Sequence, residues 1–399
     1  MSYVFSIATY ASPTVFIGTM KRNIGLGPPA SAPRWAAAVA NADWCVTGPL
    51  IVALSAAWDT DVATITMGVA AYSLGYGCAL PLWGAAADRY GYQRCLQTGM
   101  LLGAIASAGS ALSPGPGWWI ALRMAAGASF AAVPPCVSLA CESADSAQNR
   151  HRSFAGLTVA AAMAAVAAPP LAVLASLAAS WRLPFLLVGL LAVATVFRMS
   201  GAPPDASPPR PSAARWHANA PAYRTVIALG AAEGAALLTL PALLAPSLAL
   251  SGARTVTALA QPLYAVGVLS STVMVHRHCH TWPPMRLLGV GGAAGAVGTA
   301  LTASSPGPSS TLVCALLLGA AWGYLHTTLQ TWLPHLVPFS ARARASALFA
   351  AAAMLTSSLA IAVGTALLQQ GRHTAVFAAG FLSCALLTCL TRSVARRWT

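Results

Sequence analysis

The stretch LLGAIASAGSALSPGPGWWIALRMAAGASF, residues 101–130, carries one charge, Arg123, in thirty residues. The run Ser113-Pro114-Gly115-Pro116 divides it. Pro and Gly cannot continue a helix without cost, so the two flanks read as two apolar helices joined by a tight turn. The same run returns 192 residues later as Ser305-Pro306-Gly307-Pro308. Around it, Tyr72 pairs with Tyr264, Gly75 with Gly267, Arg94 with Arg286, and Leu96 with Leu288. Gly99, Gly103 and Gly127 pair with Gly291, Gly295 and Gly319, and Arg150 and Arg152 pair with Arg342 and Arg344, all at one offset. Pro49 pairs with Pro241 at the same spacing. The chain is an internal duplication of apolar helices.

Composition agrees. The chain has 399 residues, of which 57% are hydrophobic and only 8% charged. Its mean hydropathy is +0.67. A soluble domain carries about 25% charged residues, so a cytosolic enzyme, a disordered chain and a secreted disulfide scaffold are excluded. The nine cysteines sit mostly in apolar runs and read as small hydrophobes.

A membrane helix needs about 20 apolar residues. Charge-free stretches, cut at Pro/Gly punctuation, give twelve spans: 35–57, 63–86, 95–113, 117–141, 153–178, 183–200, 222–248, 254–276, 286–303, 309–333, 343–368 and 373–391. With the N-terminus in the cytoplasm, eighteen of the 22 basic residues fall on the cytoplasmic side. Arg182, Arg254 and Arg372 fall outside, and Arg123 lies within a span. This asymmetry places both termini in the cytoplasm of a cell membrane protein. It also explains the net charge of +14 without nucleic acid.

The expected organisation is a segment 1–34, a six-helix half 35–200, a cytoplasmic linker 201–221, a second half 222–392 and a basic tail 393–399. The linker, rich in Pro, Ala and Ser, reads as flexible. Residues 1–19 are apolar but broken by Pro13, and the basic pair Lys21-Arg22 follows them, the reverse of a signal peptide. Two readings stand: a start at Met20, or an interfacial segment. A repeat offset of six helices gives both halves one orientation, so they enclose a central cavity about an axis along the membrane normal. Gly99/Gly103 and Gly291/Gly295 would let helices pack closely.

The loop after span 2 reads Gly84-Ala85-Ala86-Ala87-Asp88-Arg89-Tyr90-Gly91-Tyr92-Gln93-Arg94. It resembles the G-x-x-x-D-R-x-G-x-x-R signature of the major facilitator superfamily, at that family's place between spans 2 and 3. The resemblance implies an all-α bundle of twelve transmembrane helices in two parallel-repeat halves. It also implies a conformational latch in which Gly84 allows close helix approach, Asp88 caps a helix or pairs with a base, Arg89 and Gly91 complete the turn, and Arg94 reaches Glu142. The second copy is degraded, with His276 and His280 in place of Gly84 and Asp88. Leu122-Arg123-Met124-Ala125-Ala126-Gly127 is similar to the family's R-x-x-Q-G pattern, which ties Arg123 to proton transfer. Pro169-Pro170 in span 5 resembles a degenerate exporter motif, which implies an antiporter-type kink.

Beside the resemblance stand the buried charges. Asp43 in span 1, Glu233 in span 7 and Arg123 each cost about 2.5–3.5 kcal/mol at a helix centre on insertion scales. Their retention points to proton coupling. Counting 1.5 Å per residue sets Asp43 about 10 Å from Arg123 along the membrane normal, so a direct ion pair is not expected. Trp322, His326 and Gln330 follow one helix face. With Asn41, Trp44, Thr47, Tyr72, Gln261 and Tyr264 they form an aromatic and amide lining suited to an amphipathic organic substrate. His276-Arg277-His278-Cys279-His280 lacks an acid and reads as a basic loop, not a metal site. No nucleotide-binding or hydrolase motif occurs, so no cofactor and no enzymatic activity are expected.

The expectation is a monomeric secondary transporter in the lipid bilayer, exporting a small organic molecule by alternating access in exchange for protons. Proton-coupled uptake of a small, anionic nutrient is the alternative, and a non-transporting sensor or scramblase-like bundle is a third class.

Overall fold

The computed structural model describes residues 28–142, 147–178, 180–200, 220–278, 281–332 and 342–395. Among them there is no strand. Twelve helices are long and apolar enough to cross a membrane. In chain order they are α1 (Pro28–Ala57), α2 (Val62–Tyr90), α3 (Tyr92–Leu112), α4 (Pro116–Phe130, continued as Val133–Glu142), α5 (Ala147–Ala178) and α6 (Arg182–Ser200). The second set is α7 (Ala220–Glu233, a π turn Gly234–Leu238, then Thr239–Leu250), α8 (Ala260–His278), α9 (Pro284–Ser304), α10 (Pro308–Trp332), α11 (Arg342–Gln369) and α12 (His373–Ala395).

Helix α1 begins at Pro28, seven residues before the expected span. Proline suits a first turn, whose N–H has no intrahelical partner. The duplication shows in the helix ends: α3 stops at Leu112 and α4 starts at Pro116, while α9 stops at Ser304 and α10 starts at Pro308. Its glycines explain the packing. A Cβ on Gly75 would strike the Met124 carbonyl and one on Gly127 the Tyr72 carbonyl, so α2 and α4 cross backbone to backbone. In the second half, Gly267 meets Leu316 and Gly319 meets Tyr264 in the same way between α8 and α10. Gly99 and Gly103 press on Ala132 and Phe130 of α4, and Gly291 on Tyr324 of α10.

Two irregularities depart from the expected straight spans. Pro134 and Pro135 lack the N–H groups that would continue α4, and the helix breaks at Ala131-Ala132. The Ala132 N–H turns back to Ser129. The carbonyl of Ala128, left without its helical donor, accepts the indole N–H of Trp83 from α2 at 2.8 Å. In α7, Gly230 and Gly234 abut the Phe349 and Ala353 carbonyls of α11. There the ladder widens to a π turn closed by the Thr239 N–H on the Gly234 carbonyl, with the Thr239 hydroxyl on the same oxygen at 2.8 Å. Such turns often mark functional positions. Helix α5, by contrast, runs unbroken through Pro169-Pro170.

The face carrying the α6 and α7 ends that flank the linker is here called the linker face. Arg89, Arg94, Arg198, Arg224, Arg277, Arg286 and Arg392 cluster near helix ends on it, and Arg182, Arg254 and Arg372 near helix ends on the far face. The halves meet along α2 against α11 and α5 against α8. Ser358 donates to the Ala70 carbonyl across this seam at 2.7 Å, and Gly77 nests against Leu355. Near the far face, Leu243, Ala249, Leu368 and Val376 join the apolar core of the first half. The far-side part of α7 packs on α1 and α2 as well as on α11, while its linker-side part packs on α11 and α12.

Candidate functional site

Asp43 and Arg123 form a direct ion pair. The Arg123 Nη1 donates to Asp43 Oδ2 at 2.9 Å, and Nη2 to Oδ1 at 3.3 Å. Both side chains are 0% exposed. This corrects the 10 Å separation expected from residue counting, which assumed that helix ends share a plane. The common ruler is α3: its Ser107 donates to Asp43 Oδ1 at 2.7 Å, and its Ser110 accepts from Arg123 Nε at 3.2 Å. Those serines are three residues apart, about 4.5 Å of rise, which one arginine side chain spans. The guanidinium lies 4.9 Å from the Phe185 ring and 5.6 Å from the Tyr72 ring. The cation thus has a carboxylate, a hydroxyl and two aromatic faces in place of water. Ser107, Ser110 and Phe185 were not singled out from the sequence, although two serines one turn apart in an apolar span were a visible signal.

The second cluster lies in the other half. Glu233, 2% exposed, stands 2.5 Å from Nδ1 of His326, whose side chain is 28% exposed. Trp322, one turn earlier on α10, stacks on the His326 ring at 4.4 Å between centroids and 15° between planes. Sequence reading assigned Glu233 to the proton and His326 and Trp322 to the substrate; the fold makes them one unit, seated where the π turn begins. Tyr264 of α8 is within electrostatic reach of both Glu233 and Cys45 of α1, so this cluster faces the interior between the halves.

The remaining lining residues divide. Trp44 and Trp322 have buried indole N–H groups, and Tyr72 a buried hydroxyl, without a hydrogen-bond partner. Thr47 is buried. Asn41 donates to the Ala37 carbonyl of its own helix at 2.9 Å. Gln261 donates to the Pro241 carbonyl at 2.9 Å and presses on Gly48, so it ties α8 to α7 and α1. Gln330 is exposed.

Of the loop motif, Gly84 and Asp88 do not take the parts that the resemblance implied. A Cβ on Gly84 would meet nothing within 4 Å, so Gly84 serves no close approach here. Asp88, Arg89 and Arg94 are exposed, and Asp88 caps neither α2 nor α3. Gly91 does the turning: at φ 87° it ends α2, with its N–H on Ala87, and opens α3. The side chains of Glu142, His276 and His280, and Cys279 as a whole, lie outside the described residues. The side chains of Arg150, Arg152, Arg342 and Arg344 and the linker 201–219 lie outside them as well.

The sequence pattern of the Major Facilitator Superfamily matches residues 35–361. The chain belongs to this family. Solved structures of the same fold include a peptide transporter POT, with a TM-score of 0.73 and 13% identity, the match covering 92% of this chain and 94% of that one. A D-xylose-proton symporter gives 0.71 and 15%, covering 91% and 94%. The nucleoside transporter NupG gives 0.65 and 12%, covering 92% and 100%. At these identities the likeness concerns the fold. No curated protein matches the sequence. This superfamily member is therefore a multi-pass membrane protein of a transporter family, with two buried charge clusters, one in each half.

Proposed function

We propose that this protein is a proton-coupled secondary transporter that exports a small amphipathic organic molecule by alternating access, with the linker face in the cytoplasm of the cell membrane. The observation that carries this reading is the sealed Asp43–Arg123 pair in one half, faced by Glu233–His326 in the other. A chain with so few charges places an acid at the centre of each half. Uncovering Asp43, or adding a proton to the Glu233 cluster, changes the electrostatic energy by several kcal/mol, enough to move a balance between two conformations. Near the far face, residues of the second half pack into the apolar core of the first, which fits a state closed on that side. The unpaired donors of Trp44, Tyr72 and Trp322 favour a substrate with hydrogen-bond acceptors.

Purified protein in proteoliposomes, with ligand classes first screened by thermal shift, tests this. A pH gradient should drive flux outward, with protons moving in exchange, and Asp43→Asn should abolish the drive. Inward flux along the proton gradient would replace export with nutrient uptake. Unchanged pH-driven flux in Asp43→Asn would remove Asp43 from the coupling, and no counterflow with any bound ligand would favour the non-transporting reading.

A further inference from the structure

The two clusters differ in their access to a proton. Each oxygen of Asp43 is held by Arg123, Ser107 also donates to one of them, and neither partner of the ion pair is exposed. A proton on Asp43 would strand a buried guanidinium. Glu233–His326 is built the other way. One proton bridges Nδ1 and the carboxylate, whichever atom holds it. Nε2 has no hydrogen bond to the described residues and is not sealed from solvent, and the ring is 28% exposed. His326 is six residues from the end of α10 at Trp332, about 9 Å from the linker face.

We propose that the part-exposed Glu233–His326 pair, held by Trp322, is the site at which this protein binds and releases a proton, and that the sealed Asp43–Arg123 pair only answers the change of state. The step balances simply. A water-borne proton adds to Nε2, turning the pair from a net charge of −1 to 0, and it leaves by the same atom. No bond of the Asp43 cluster breaks. The carboxylate stabilises the imidazolium, and the parallel indole face offers it a cation–π contact. Among the described residues neither member of the pair makes a second ion pair. Tyr264 of α8 is its titratable neighbour, and Cys45 of α1 lies beyond Tyr264, nearer Asp43. Helix α11 presents Phe349 and Ala353. On α12, His373 turns to Ser247, Cys384 to Cys314 and Arg392 to Gly289, and Cys389 is exposed. On α10 itself, Tyr324 packs on Gly291 of α9.

The stacking supplies a readout, because a protonated imidazole quenches an indole that it lies on. Tryptophan emission of the solubilised full-length W282F variant, which removes the second histidine–tryptophan contact, His278–Trp282 at 4.7 Å, should fall through one sigmoid from pH 9 to pH 4.5. That sigmoid should be absent in H326Q and in W322F. It should persist in the double variant D43N/R123Q, which removes both charges of the other cluster and so leaves none stranded. A sigmoid retained in H326Q, or one lost in a folded D43N/R123Q, overturns the proposal. Its mechanistic use rests on the transporter reading, but the titration needs neither gradient nor substrate. A normal titration beside absent pH-driven flux would sink the transport reading and leave the proton site standing.

Discussion

Removing one partner of the Asp43–Arg123 pair should be far more damaging than removing both. In R123M, Asp43 keeps Ser107 as its donor and loses both guanidinium bonds, at 2.9 and 3.3 Å, in a place with no exposure. In D43L, the guanidinium keeps Ser110 and two aromatic faces but no counter-charge. Stranding one member of a buried ion pair costs roughly 3–5 kcal/mol, whereas replacing both by apolar groups of similar volume is near neutral. The double variant D43L/R123M should therefore lie within about 1 kcal/mol of the wild type. The cycle should then yield a coupling energy of about 3 kcal/mol or more, at the top of the usual range for contacting residues. Cys136, Cys314 and Cys384 are free and buried, so a thiol-reactive dye reports thermal unfolding in detergent. Two low transitions and a restored one are expected. Additive losses, with the double variant the least stable of all, would refute the claim that the pair is dry and mutually compensated. Neutral single variants would show that water reaches these charges.

Other outcomes follow from named contacts. Ser107→Ala removes a hydroxyl donor from a buried carboxylate and should cost about 1.5–3 kcal/mol, read in the same thermal assay. Gly127→Val and Gly319→Val should fail alike in yield and monodispersity, because each adds bulk against the carbonyl of the matching tyrosine, Tyr72 or Tyr264; a silent change at either would deny the close crossing. Trp83→Phe leaves the Ala128 carbonyl without its donor and should lower stability by about 1–3 kcal/mol, whereas Trp118→Phe, at an exposed position, should be silent.

The twelve spans and the duplication were legible because hydrophobic length and a repeated Ser-Pro-Gly-Pro turn are local signals. The packing glycines were legible as a pattern, although which backbone each one meets depends on how neighbouring helices cross. The meeting of Asp43 with Arg123 was not legible. Rise per residue fixes depth only when helix ends share a plane, and here Ser107 and Ser110 of a third helix set the register. Nor was the joining of Glu233 to His326, which combines residues 93 positions apart that separate arguments had given to the proton and to the substrate. The π turn at Gly234 arises from contact with α11 and leaves no mark in the α7 sequence beyond its glycines. The loop motif shows the opposite failure: its residues match a family pattern, yet in this conformation Gly84 meets nothing and Gly91 alone shapes the turn.

The central claim is that two halves rock about these buried clusters. The direct test is the distance between spin labels at Ala57 and Arg372, exposed positions at the far-face ends of the two halves, in a background whose native cysteines are alanine. Reconstituted protein brought from pH 8 to pH 5 should redistribute between a short separation, with the far face closed, and a longer one with it open. H326Q should hold one distribution at both values. A single distance in the wild type, unchanged by pH and by every ligand that binds, would contradict alternating access in this protein.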